Sequence, residues 1–211
     1  LIIDAAVQMI KADGFDSLTM KRLAQSCSMS VGKLYHFFPS KDELFLTLEI
    51  EYFDGFYVCL KSVLGEVSST EVRPKEKFLL MLRAYYRYAV EHFALYQLVT
   101  SPPKVFTHFL GTPTERLAKN ELTSALRAIS VSREVFEAAI VADRSRVSQT
   151  ELNQRFLLFV NTVHGLILMS QSTVWPYISM TVGELNDESL AMLEGVFDVE
   201  GQLELIADRL L

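Results

Sequence analysis

The chain has 211 residues, half of them hydrophobic, with 20 basic and 26 acidic side chains and a formal net charge of −6. Its two cysteines, Cys27 and Cys59, exclude a disulfide framework and a cysteine-rich metal site. The longest apolar region, residues 156–169, is shorter than the about 18 apolar residues of a membrane span, and no signal-peptide pattern is present. We therefore expect a cytoplasmic protein with ample core and no membrane partner.

A supporting helix is predicted at residues 2–12, and two short helices joined by a tight turn follow it in the chain. This first helix is predicted to end at Gly14. The second spans residues 20–26 with Thr19 as its N-cap, and the third begins after Ser30, which is also an N-cap. A turn at residues 27–29 joins them, and the result is a helix-turn-helix pattern.

Positive charge is concentrated in this region. Between Ser17 and Lys41 there are four basic residues and no acidic one, although the whole chain is acidic. Binding to duplex DNA draws on neutralisation of phosphates, so a local cationic face favours DNA as a partner. The alternative is a solvated charged face on an ordinary helical bundle.

Residues 15–44 resemble the N-terminal domain of the TetR (tetracycline-repressor) family. The likeness lies in the spacing of Leu23-Ala24, of Gly32-Lys33-Leu34-Tyr35, of the following His36-Phe37-Phe38-Pro39, and of Ser40-Lys41-Asp42-Glu43-Leu44. One position departs from the pattern, because Ser28 stands where the family usually has glycine. A positive φ at Ser28 would be strained.

The third helix is the recognition helix of this motif, and the position of each residue along it predicts its contact with DNA. Its first residues normally face base edges in the major groove, and helix N-termini bind phosphates. We expect Ser30, Val31, Gly32 and Lys33 near bases, and Thr19 and Lys41 near phosphates. The family resemblance implies phosphate contacts for Tyr35, His36 and Lys41, and a base or phosphate contact for Lys21. Core packing is the alternative for Tyr35, and Phe37 and Phe38 are expected in the core.

The remaining pattern is helical throughout. Ser40 caps a helix from Lys41 to about residue 64, whose apolar stripe is Leu44, Leu48, Tyr52 and Phe56. A loop is predicted at residues 65–74. Further helices are predicted at residues 75–99, 114–129, 133–142, 151–173, 188–197 and 199–210. The predicted fold is all-α, with a three-helix helix-turn-helix domain at residues 1–46 and a larger helical ligand-binding and dimerisation domain at residues 47–211.

Two C-terminal helices bear on assembly. The helix at residues 151–173 is apolar around much of its circumference, and the helix at 199–210 carries a second apolar stripe. The family resemblance implies that such a pair forms a four-helix homodimer interface, whereas the alternative is that both fill the subunit's own core. A dimer would bind a pseudo-palindromic operator with half-sites one turn, about 34 Å, or more apart.

A small-molecule effector is implied by the same resemblance. Effector pockets are mostly apolar with a few polar groups, and the candidates are aromatic or polar residues within apolar helix faces or beside helix breaks. They are Tyr85, Tyr88, His92, Phe106, Phe159, Asn161, His164 and Trp175. For each of them, core packing is the alternative.

These patterns predict a ligand-responsive DNA-binding regulator, and by the resemblance a repressor. A helical protein-interaction module that has lost DNA binding is the alternative. No enzyme motif is present and no cofactor is expected. A metal sensor using His92, His108 and His164 has weak support because these histidines are scattered.

Overall fold

A computed structural model of the chain describes residues 1–66, 72–102, 104–143, 147–172 and 198–211. Within these ranges every regular element is helical, which confirms the all-α prediction. The α-helices are α1 (Ile2–Asp13), α2 (Met20–Ser26), α3 (Val31–Phe37), α4 (Lys41–Glu66), α5 (Pro74–Glu91), α6 (Phe93–Thr100), α7 (Glu115–Asp143), α8 (Gln149–Ser170) and α9 (Val199–Leu210). Two 3-10 turns, Phe15–Ser17 and Phe106–Phe109, lie between them.

The helix-turn-helix forms where the capping residues predict it. Thr19 Oγ1 accepts a hydrogen bond from the Arg22 amide at 3.2 Å, and Ser30 Oγ accepts one from the Lys33 amide at 3.2 Å. Each cap satisfies an N–H that a helix start leaves without a partner, which is worth about 1 kcal/mol. Both caps and the bounds of α2 confirm the sequence prediction.

The turn between α2 and α3 contains a strained residue. Ser28 has φ 53°, and it is the only residue other than glycine with positive φ among the described residues. The conformation allows the Met29 amide to donate to the Ala24 carbonyl at 2.9 Å, which closes the end of α2. A side chain in this region of φ costs about 1–2 kcal/mol, so the turn bears the strain predicted for it.

The fold divides into two compact units. The first consists of Leu1–Val58 and Glu91–Ile129, and the second of Cys59–Val90 and Ser130–Leu211. These units are defined by packing, whereas the predicted division at residues 46 and 47 concerns the limit of the DNA-binding motif and stays a prediction.

In the first unit, α4 buries the stripe predicted for it. Leu44, Leu48, Tyr52 and Phe56 are all buried, and the rings of Tyr52 and Tyr96 lie 6.4 Å apart, which brings α6 against α4. Helix α1 contacts both α2 and α6. The three short N-terminal helices therefore share one core with the start of α4.

An aromatic cluster forms the core of the second unit. Phe78 of α5, Phe136 of α7, and Phe156 and Phe159 of α8 have ring centroids 5.3–5.7 Å apart in successive pairs. Aromatic pairs at this spacing add stability beyond the area that they bury. Helix α9 packs on α8, where the Arg155 side chain donates to the Leu210 carbonyl at 3.1 Å.

Two helix predictions are wrong. The predicted helix at residues 75–99 is interrupted at His92, whose φ of −111° and ψ of 32° leave the helical region and start α6. The predicted helices at residues 114–129 and 133–142 are one helix, α7. The gap between them, residues 130–132, is helical. Val131 and Ser132 are buried there, and this tertiary packing offsets their low helix propensity.

None of the described helices is both long enough and apolar enough to cross a membrane. The predicted helix at residues 188–197 and the effector candidate Trp175 lie outside the described residues.

The strain at Ser28 gives a stability prediction. Replacing Ser28 with glycine, which adopts positive φ without a steric cost, should raise the free energy of unfolding by about 1 kcal/mol. Denaturant unfolding of the full chain measures this difference. The matched control is Ser26→Gly in the last turn of α2, which should instead lower stability by about 0.5–1 kcal/mol. Equal effects of the two substitutions would contradict the assignment of strain to the turn.

Candidate nucleic-acid interface

Most of the surface of α3 is open to solvent. Leu34 is buried and holds the helix on the protein, whereas Val31, Tyr35 and the residues around them are exposed. Tyr35 is 45% exposed, so its predicted alternative role in core packing does not hold. A short helix with this much free surface can enter the major groove of DNA, which is about 12 Å wide.

Gly32 lies in the middle of this open surface. A Cβ atom built at Gly32 would meet no atom within 4 Å, and glycine within a helix costs about 1 kcal/mol relative to alanine. Packing within the chain therefore does not require glycine here. The lack of a side chain keeps the surface beside Lys33 low, so that another molecule's atoms can approach the backbone.

The cations on this face are not neutralised by nearby acids. No carboxylate among the described residues forms an ion pair with Lys21, Lys33 or Lys41. Arg22 differs, because its guanidinium donates to Asp13 at 2.6 Å and to the Ser17 carbonyl at 3.0 Å. Arg22 therefore ties α2 to the end of α1, whereas the three lysines form no ion pair with a described carboxylate.

Other predicted contact residues surround α3 within the first unit. Thr19 is exposed at the N-terminus of α2, and His36 is exposed on α3. The Lys41 ammonium, at the start of α4, lies 5.0 Å from the centre of the Phe45 ring. This contact positions Lys41 without neutralising its charge. The predicted DNA contacts thus come from the starts of α2, α3 and α4, with Tyr35 and His36 further along α3.

Phe37 is a correction to the sequence analysis. It was expected in the core but is 53% exposed, with its ring edge-on to that of His36 at 6.0 Å. Helical spacing indicates this exposure, because Phe37 follows Lys33 by four residues and so lies on the same outward face of α3. The neighbouring Phe38 is half-buried. The outward face of α3 therefore carries an apolar ring in addition to the lysine.

Residues 2–48 match the family model of bacterial regulatory proteins of the tetR family. Over these residues the chain is similar to the N-terminal domain of that family. The HTH-type transcriptional regulator YuxN of Bacillus subtilis is 27% identical over 92 residues, 44% of this chain and 30% of that protein. The match thus spans less than a third of that relative's length.

Solved structures share the fold over nearly the whole chain. A protein from Streptomyces coelicolor described as a possible TetR family transcriptional regulator has a TM-score of 0.64 at 17% identity, covering 98% of this chain and 95% of that one. The regulator FadR from Bacillus subtilis, solved with stearoyl-CoA, has a TM-score of 0.63 at 14% identity, covering 99% and 95%. At these identities the likeness establishes the fold.

Three of the predicted effector-binding residues meet in the second unit. Tyr85 Oη and His164 Nε2 form a hydrogen bond of 3.0 Å, and the Phe159 ring lies edge-on to Tyr85 at 6.5 Å. Burial raises the pKa of Tyr85 and lowers the pKa of His164, so the neutral forms of both are favoured. The result is a polar pair against an aromatic wall.

The other effector candidates are placed apart from this pair or at its margin. Tyr88 is half-buried one turn further along α5, and Asn161 is exposed on α8. His92 and Phe106 belong to the first unit, where burial, followed by the nearby Lys11, lowers the pKa of His92.

A buried carboxyl group was missed by the sequence analysis. Glu49 lies on α4 between the buried Leu48 and Tyr52 and is only 5% exposed. The sequence does indicate that Glu49 is buried, because Phe45, Glu49, Tyr52 and Phe56 recur at helical intervals along one side of α4. Burial, followed by the charge of Glu121, raises the pKa of Glu49 to about 8.

Proposed function

We propose that this chain is a transcriptional regulator that binds a double-stranded DNA operator through α3. The observation that supports this most is the open face of α3, where Gly32, Lys33 and Phe37 are exposed together on a helix anchored by Leu34. Lys33 can donate to guanine, and an apolar ring can contact a thymine methyl. Thr19, Lys21, Tyr35, His36 and Lys41 contribute phosphate contacts on either side.

Two lysines should affect DNA binding in different ways. Lys41→Ala should weaken binding to all duplexes alike and reduce the slope of log affinity against log salt by about 1, because one phosphate contact is lost. Lys33→Gln should instead change the preference among base sequences by about 1–3 kcal/mol. Binding to duplexes selected from a random pool, repeated over a salt series, measures both effects.

Lys61→Ala is the matched control, since Lys61 is an exposed lysine of the same helix as Lys41 but lies five turns further on. It should leave affinity and slope unchanged. If the wild-type protein shows no salt-dependent binding to any duplex, a protein-interaction module replaces the DNA-binding proposal.

We also propose a homodimer that pairs two recognition helices across a two-fold axis. The outer side of α8 supports this, because Leu158, Asn161, Gly165 and Met169 recur at helical spacing and are all exposed. A Cβ at Gly165 would meet no atom within 4 Å, so a second helix could approach closely there. The apolar stripe of α9 packs within its own unit, and Leu205, 54% exposed, is its outward apolar residue.

Charge on the outer side of α8 should separate the subunits. Leu158→Lys should convert the dimer to monomer without loss of helix content, because Leu158 is 54% exposed in the subunit and a buried lysine at an interface is costly. Sedimentation velocity gives the oligomeric state. Leu126→Lys on α7, where Leu126 is 57% exposed, is the control and should remain dimeric. Dissociation of both variants alike would argue against the α8 face.

The effector, in this proposal, is a small and largely apolar or aromatic molecule that binds at Tyr85, Phe159 and His164 and releases the operator. The support is the polar pair against the aromatic wall, together with the apolar acyl chain of the ligand in the FadR structure. The ligand must bind one conformation of the protein more tightly than the other.

Stearoyl-CoA is the first probe for this site, followed by a panel of small aromatic compounds. A releasing compound should need about tenfold higher concentration on Tyr85→Phe, which removes the hydrogen bond to His164. The readout is displacement of labelled duplex. Tyr86→Phe, at the half-buried neighbouring tyrosine, should behave as wild type. Unchanged release from Tyr85→Phe would remove the pair from the effector site.

A further inference from the structure

The Glu49 side chain lies in a small cleft of the first unit. Phe45 and Leu46 of α4 and Phe109 of the second 3-10 turn form the apolar walls. Asp42 and Lys104 line the same cleft, and the Lys104 ammonium donates to Asp42 at 2.6 Å. Glu49 is therefore a carboxyl group between apolar walls, in a cleft whose lysine, Lys104, is paired with Asp42.

No donor compensates the burial of Glu49. Among the residues that the structure describes, none forms a hydrogen bond or an ion pair with its carboxyl group. The charged neighbour from α7 is Glu121, and it is also an acid. An ionised carboxylate here would be both poorly solvated and repelled, so the protonated form is favoured.

Polar contacts hold α4 to the neighbouring segment on both sides of Glu49. Toward the N-terminus, Thr114 Oγ1 donates to Glu43 at 3.3 Å. Toward the C-terminus, Arg127 of α7 donates to Asp54 at 2.7 Å and lies 4.4 Å from the centre of the Tyr57 ring. A negative charge on Glu49 would therefore lie between these two contacts, where α4 packs on α7.

We propose that Glu49 is a proton-dependent contact between α4 and α7, which loosens within the first unit when the carboxyl group ionises. The carboxylate would be drawn toward water and pushed away from Glu121, and the packing on Phe45 and Phe109 would open. Helix α4 begins at Lys41, so loosening would weaken operator binding. Only this last consequence rests on the proposed function.

Stability should therefore depend on pH in a defined direction. The pKa of Glu49 in the folded chain is about 8, against an ordinary value of 4.5, so the folded state holds a proton that the unfolded state has lost between these values. The stability that this proton contributes is fully present below about pH 4.5. It decreases as pH rises and is lost by about pH 8.

The test compares wild type with Glu49→Gln, an isosteric side chain that cannot ionise. The unfolding equilibrium constant of wild type relative to this variant should rise about tenfold per pH unit between about pH 5 and 8. Glu51→Gln, at an exposed residue of the same helix, is the control and should run parallel to wild type. Parallel curves for wild type and Glu49→Gln would overturn the proposal.

Two further measurements distinguish this proposal from the proposed function. Carboxyl ¹³C NMR of the full chain should show one glutamate titrating near pH 8, absent from Glu49→Gln and shifted down in Glu121→Gln. Operator affinity of wild type should fall between pH 7 and 9 while that of Glu49→Gln stays level. A chain that binds no duplex but shows the titration refutes DNA binding alone, and a chain that binds duplex without the titration refutes the role of Glu49.

Discussion

Helix α3 is held on the protein through one fully buried side chain, Leu34, and the rest of the molecule has to supply its stability. A seven-residue helix does not persist alone in water. The Ser30 cap, the strained turn at Ser28 and the contact with α2 substitute for the missing length. This arrangement leaves most of the circumference of α3 exposed, while its packing contact with α2 holds it on the protein.

The sequence predicted this part of the fold because its signals are local. Caps such as Thr19 and Ser30 and a stop at Gly14 act within one turn of helix, so they can be identified without tertiary contacts. The break at His92 and the helix through residues 130–132 were not predicted, for the opposite reason. The interruption between α5 and α6 and the continuity of α7 depend on which surfaces meet in space, and the residues adjacent in sequence do not specify those contacts. Among the effector candidates, the sequence suggested Tyr85 and His164 separately, but only the fold pairs them.

Two helical glycines lie on the surfaces that we propose for binding. Gly32 and Gly165 both lie within helices with open space where a Cβ would be, so neither is required by packing inside the chain. Each forgoes about 1 kcal/mol of helix stability relative to alanine. Without a side chain, each position leaves room for another molecule to approach the helix backbone. In this chain the two surfaces are the face proposed for DNA and the face proposed for a second subunit.

Two buried groups, His164 in the second unit and Glu49 in the first, respond to pH in opposite directions. In the second unit, burial lowers the pKa of His164, so stability that is present above its ordinary pKa is lost as pH falls. In the first unit, burial raises the pKa of Glu49, so stability is lost as pH rises. Both groups are therefore neutral near pH 7, where neither unit has to bury these charges. Because the two trends partly cancel in the whole chain, only the difference between wild type and a single isosteric variant assigns a pH dependence to either unit.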